Sequence, residues 1–102
     1  MSMTIDQRAL VPIRLLVAAD ACPVREECVR VALRHGVKVT FVSNSFFRIE
    51  ADPLVEREIV PGNFDAADDR IVEHVTPNSV VVTADILLAE RCLKAGARVL
   101  KH

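Results

Sequence analysis

With 102 residues, 51% of them hydrophobic, the chain holds enough apolar material for one modest core and is too short for two independent ones. Its 13 basic and 14 acidic side chains give a formal charge of −1, which excludes a broad polycationic footprint, so any bound polymer must be held locally or through metal. Cys22, Cys28 and Cys92 fit neither a secreted disulfide scaffold nor a zinc pattern; with no apolar run approaching the ~20 residues of a membrane span and no export signal, the reading is cytoplasmic, without a membrane.

Residues 1–12 start polar and end on a proline, and are read as a flexible N-terminal arm; the domain proper spans 13–102. IRLLVA, 13–18, is an apolar run shorter than two helical turns and reads as a strand covered on both faces. Pro23 opens a helix through 36, with Val24, Cys28, Val31, Ala32 and His35 expected on its packed side and Gly36 as the stop. VKVTFV, 37–42, is a β-branched second strand. LVEREIV, 54–60, alternates partially, with Glu56 and Glu58 on one face, and suits a sheet edge. DAADDRIVEHV, 65–75, predicts a helix packed through Ala67, Ile71 and Val75; SVVVT, 79–83, is a short buried strand. A third helix over 85–96 packs through Leu88, Ala89 and Cys92 and ends at Gly96, before a last strand at 97–100. This order argues for an α/β fold in three layers, a mostly parallel sheet with helices on both faces and strand 13–18 in its centre.

Acidic residues fall at three helix starts: Asp20; Asp65, Asp68 and Asp69; and Asp85. Asp20 and Asp85 follow strands directly, which places both at the carboxyl-end rim, where ligands of this architecture bind. Asp65 and Asp69 are one helical turn apart, with Asp68 beside them. Carboxylates gathered at one rim repel one another unless a hard cation neutralises them, and such oxygen donors suit Mg²⁺ or Mn²⁺. Each acid also has a local explanation: Asp65 and Asp85 make good N-caps, and Asp68 stands three residues beyond Asp65, near a capping-box spacing.

The segments VAADACP at 17–23, VSN at 42–44, FDAADDRIV at 64–72 and VVTADILLAERCLKAGARVL at 81–100 resemble the UPF0178 (DUF188) family related to YaiI and YqxD, grouped with PIN-like nuclease domains. The resemblance covers the chain beyond its arm. It implies a PIN-like fold and metal-dependent hydrolysis of RNA phosphodiesters, with Asp20, Asp65 and Asp85 as catalytic ligands and Asp68 or Asp69 supplying a further oxygen or orienting water. One departure stands out: the family's first motif carries an earlier aspartate where this chain has Ala18, which favours one ion over two and keeps open a catalytically weak or inactive module that binds RNA or protein. Family members also continue past the last strand, so the sequence, ending at His102, reads as lacking that C-terminal region.

Ser43 and Asn44 follow the second strand and are candidate substrate contacts, although a turn held by its own side chains accounts for them equally. Arg48, beside Phe46 and Phe47, is a candidate phosphate donor with stacking rings for single-stranded RNA, although one aromatic pair is too little for a binding platform and burial of at least one of the two rings in the core is the favoured reading. Cys22, next to Pro23 at a helix start, is a weaker nucleophile candidate, since no histidine is placed to activate it; Cys28 and Cys92 read as core residues. The sequence sets neither the oligomeric state nor the RNA.

Overall fold

Buried apolar strands need parallel partners and a helix layer on each face, and both are present in the computed structural model, which describes residues 13–22, 24–49 and 51–101. The expected arm, Pro23 as a helix opener and His102 lie outside the described residues. The strands are β1 (Arg14–Ala18), β2 (Lys38–Ser43), β3 (Val55–Ile59), β4 (Ser79–Thr83) and β5 (Arg98–Lys101); the helices are α1 (Arg25–Arg34), α2 (Phe64–His74) and α3 (Ile86–Lys94). All four strand pairings are parallel, in the order β3-β2-β1-β4-β5. The strand expected at the centre is β1, and Leu16 faces Thr40 on one side and Val81 on the other. The strand with partial alternation is β3, at an edge.

Side chains of one sheet face, Leu16, Ala18, Val42 and Val81, pack with Ala67 and Ile71 of α2 and Leu88 and Cys92 of α3. On the other face Val17, Val39, Phe41 and Val82 meet Cys28, Val29 and Ala32 of α1. The described residues of the β2–β3 connection contain no helix; Phe47 and Ile49 pack it onto the α1 face, with the Phe47 ring edge-on to Phe41 at 5.6 Å. Polar groups secure the β3 edge: Glu56 pairs with Lys38 at 2.9 Å, and Glu58 with Arg70 at 3.2 Å and His74 at 2.8 Å. Lys38 is the main cause holding the Glu56 carboxyl below its usual range.

Two glycine stops work as the sequence predicts. Gly36 (φ 65°) and Gly96 (φ 100°) take left-handed conformations, and paired bonds, Val37 N to Ala32 O at 2.8 Å and Ala97 N to Cys92 O at 3.0 Å, close the ends of α1 and α3. Two local expectations need correction. Around α1, Val24, Cys28 and Ala32 pack as expected, but Val29 and Leu33 complete the stripe, while Val31 is 53% exposed and His35 is exposed. On α2 the N-cap is Asn63, whose Oδ1 accepts from Ala66 N at 3.1 Å, and Asp65 lies inside the first turn.

Candidate functional site

The sheet order reverses between β1 and β4: β2 and β3 extend from one side of β1, β4 and β5 from the other. At such a switch point the connections leaving two neighbouring strands diverge and open a crevice at the carboxyl ends. Here β1 runs into a 3₁₀ turn (Ala19–Ala21) carrying Asp20, and β4 runs into Asp85, the N-cap of α3. Asp20, Asp68 and Asp85 line one pocket of about 230 Å³ together with Asn44, Ala18 and Ile71. Asp65 is exposed in the first turn of α2 and is not part of the lining. Asp69 points elsewhere and takes a bond from Arg91 Nη2 at 2.8 Å.

Each carboxylate at the pocket has a different occupation. Asp20 is tied to the end of β2: Oδ1 lies 2.8 Å from Ser43 Oγ, and Oδ2 accepts from the Asn44 backbone N–H at 2.8 Å. Ser43 is buried, and its single hydroxyl proton also faces the Ser45 carbonyl at 2.6 Å. Asp85 Oδ1 accepts from the N–H groups of Leu87 at 2.9 Å and Leu88 at 3.3 Å, while its own N–H donates to Thr83 Oγ1 at 3.0 Å. Asp68 has no such bond among the described residues. Burial, and then the nearby charge of Asp85, pushes its carboxyl above the usual range, with Asp65 and Asp69 adding and Arg91 opposing.

Asn44 fastens the same corner to the chain ahead of α2. Its Nδ2 donates toward the carbonyls of Gly62 at 3.3 Å and Asn63 at 2.5 Å. Its Oδ1 is the buried side-chain polar atom without a partner among the described residues. The turn reading of Ser43 and Asn44 thus accounts for their donors, leaving one acceptor at the pocket. Among the described residues no group of three or more His, Cys, Asp or Glu side chains could hold a metal ion. The rim carboxylates, as they stand, do not fit a three-acid ion shell, and Ala18 is buried where the pocket lacks a further carboxylate.

The other side of the β2 corner differs. Phe46 is 67% exposed, and the Arg57 guanidinium sits 4.3 Å from its ring centroid while donating to the Phe47 carbonyl at 2.8 Å. Arg25 lies 4.8 Å over the Phe47 ring. Arg48 is remote from the acidic pocket and borders α1. The sequence reading missed Arg25, Arg57 and Asn63; Arg57 alternates with Glu56 and Glu58, so strand period alone places it on the α1 face with Phe41, its partner in register. Cys22 and Cys28 are buried, and burial, followed by the adjoining Cys22 thiol, raises Cys28 to about 12, so Cys28 is an inert core thiol. Burial raises Cys92 as well.

The family profile described as "Uncharacterized BCR, YaiI/YqxD family", DUF188, matches residues 16–102. A UPF0178 protein of Sphingopyxis alaskensis is 63% identical over 86 residues, covering 84% of this chain and 56% of the relative. UPF0178 proteins of Rhodopseudomonas palustris and a Bradyrhizobium species are 55% and 53% identical over 89 residues, covering 87% of this chain and 54% of each relative. The chain spans about half the length of the curated relatives it matches. No solved structure matches it. No helix of the described residues is long and apolar enough to cross a membrane.

Proposed function

The chain belongs to the UPF0178 (DUF188) family, and from that premise we propose that its domain is a PIN-like module that binds single-stranded RNA through the β2 corner of the rim and cleaves it weakly or not at all. The observation that carries this reading is the occupation of Asp20. One oxygen faces Ser43 Oγ and the other accepts from Asn44 N–H, so the carboxylate expected to hold an ion sets the start of the β2–β3 connection, and among the described residues no three-acid ion shell forms around it. That connection presents Phe46 to solvent with a guanidinium against its ring. An exposed ring backed by a cation is a surface on which a base stacks without regard to sequence. The parallel sheet with acids at a switch point supports the PIN-like assignment.

The test is anisotropy of a fluorescein-labelled oligouridylate. Wild type binds, and Phe46→Ala weakens binding by about tenfold or more, the cost of one lost base stack, without lowering Tm. Equal binding by the variant would remove the stacking surface from the proposal. Binding of a double-stranded but not a single-stranded RNA would do the same.

A second reading, ribonuclease activity supported by Mg²⁺ or Mn²⁺, draws on one observation: Asp68 is crowded by Asp85, Asp65 and Asp69 beside the unpartnered Asn44 Oδ1. In that reading Asp20, Asp65 and Asp85 are the essential acids, with Asp68 and Asp69 in support. Cleavage that needs either ion, stops in chelator, and is lost in both Asp20→Asn and Asp85→Asn would favour it over the binding module.

A further inference from the structure

A cavity of about 810 Å³ lies between α1 and the β2–β3 connection, on the sheet face opposite the acidic pocket. Arg25, Arg30 and Arg48 line it, together with apolar Leu33 and Ile49 and the carboxylates Glu26 and Glu27. Arg30 is engaged by Glu27 at 3.6 Å, an exposed pair of the kind that contributes little. Arg25 and Arg48 form no ion pair among the described residues, and Arg25 is oriented by the Phe47 ring beneath it. Arg25 and Arg48, without an ion pair among the described residues, line a concavity with a partly apolar wall, which suits a ligand that is anionic at one end and flat or apolar at the other. Guanidinium forks match phosphate oxygens in particular.

We infer that this cavity takes a backbone phosphate of the RNA strand, between Arg25 and Arg48, with the adjoining nucleoside against Leu33 and Ile49. The inference rests on the RNA-binding reading and extends it: the strand would stack on Phe46 and continue along the α1 face, away from the carboxylates. Repulsion supports that direction. Asp20, Asp68 and Asp85 surround the pocket on the other face, and a polyanion approaching them without a cation meets like charge. Glu26 and Glu27 limit the site to a local contact.

The test measures oligouridylate affinity against salt concentration for wild type, Arg25→Gln, Arg48→Gln and the control Arg34→Gln, an exposed α1 residue outside the cavity. Each lost phosphate contact on a single strand lowers the slope of log K against log salt by about 0.7. Arg48→Gln and Arg25→Gln should each show that decrease with a several-fold loss of affinity, and Arg34→Gln should show neither. Arg48 is exposed, so its variant keeps the fold even where loss of the Arg25 contact to Phe47 does not. If Phe46→Ala weakens binding but Arg48→Gln leaves slope and affinity unchanged, the cavity is not the phosphate site and RNA binding stands. If wild type binds no oligouridylate, both fall. If polyglutamate displaces the oligonucleotide at equal charge concentration, the site takes acidic polypeptide and the assignment to RNA is overturned.

Discussion

The two sides of the β2 corner carry opposite charge and opposite states of engagement. On the acidic side Asp20 holds Ser43 and Asn44, Asp85 caps α3 and Asp69 pairs with Arg91. On the α1 side Arg25 and Arg48 have no ion pair among the described residues, and Arg57 leans on an exposed ring. Charge that is already hydrogen-bonded or ion-paired within the fold has part of its capacity spent there, and less of it is left to attract a partner. The side with fewer conspicuous residues therefore has the larger share of charge available to a partner.

The strongest challenge to this contrast is to put another carboxylate on the acidic side. Ala18→Asp sets a charge at a buried position beside Asp68 and Asp85. Without divalent ions it should cost on the order of 3 kcal/mol, the scale of an uncompensated buried charge, read by urea unfolding. Recovery on adding Mn²⁺ would show that the pocket needs only this carboxylate to take an ion, and would shift the balance toward the hydrolytic reading. Next in size is Asp20→Ala. It strips the exposed Asn44 N–H of its acceptor and leaves the Ser43 hydroxyl to the Ser45 carbonyl alone, for a loss of about 1 to 1.5 kcal/mol, and it frees the connection that presents Phe46, so RNA affinity should fall in parallel. Retained affinity at reduced stability would separate the anchor from the binding surface.

Asp85→Ala tests whether the second rim acid is mainly a cap. Loss of its bonds to Leu87 and Leu88 should cost about 1 kcal/mol, and Asp85→Ser, another capping residue, should recover most of it. Oligouridylate binding should not change in either variant. A Ser variant that folds as wild type yet loses binding or cleavage would give Asp85 a role beyond α3.

Most of the frame was legible because its signals are local and strong. Short apolar runs fixed β1, β2 and β4, the partial alternation of 54–60 marked the edge strand, and Gly36 and Gly96 sat where helix ends need left-handed backbone. The rim position of Asp20 and Asp85 also followed from strand ends alone. How the acids are used did not. Asp20 is held by residues 23 and 24 positions away, Asp69 by one 22 positions away, and no spacing rule reports such pairs. The α1 cavity was invisible for the same reason: Arg25 and Arg48 belong to different elements that meet only once the β2–β3 connection folds over Phe41.

The smallest expected effect is also the most specific to the acidic side. Asp68 has no hydrogen bond among the described residues, and its carboxyl is raised by burial and by Asp85. A carboxyl whose folded pKa exceeds its unfolded one favours the folded state while protonated, and that contribution disappears as pH rises through the folded value. At neutral pH Asp68 is therefore a liability in the folded protein. Asp68→Asn keeps the volume and removes the charge, so it should stabilise the protein there by about 0.5 kcal/mol, the size of one relieved like-charge neighbour, or a rise in Tm of about 2 to 4 °C. Below the ordinary carboxylate range wild-type Asp68 is neutral in both states, and the advantage should vanish. Thermal melts of the two proteins at both pH values decide the matter. A variant that is less stable than wild type at neutral pH would mean that ionised Asp68 has a favourable partner in the folded chain, and the picture of a repulsive pocket facing an available arginine surface would have to be withdrawn.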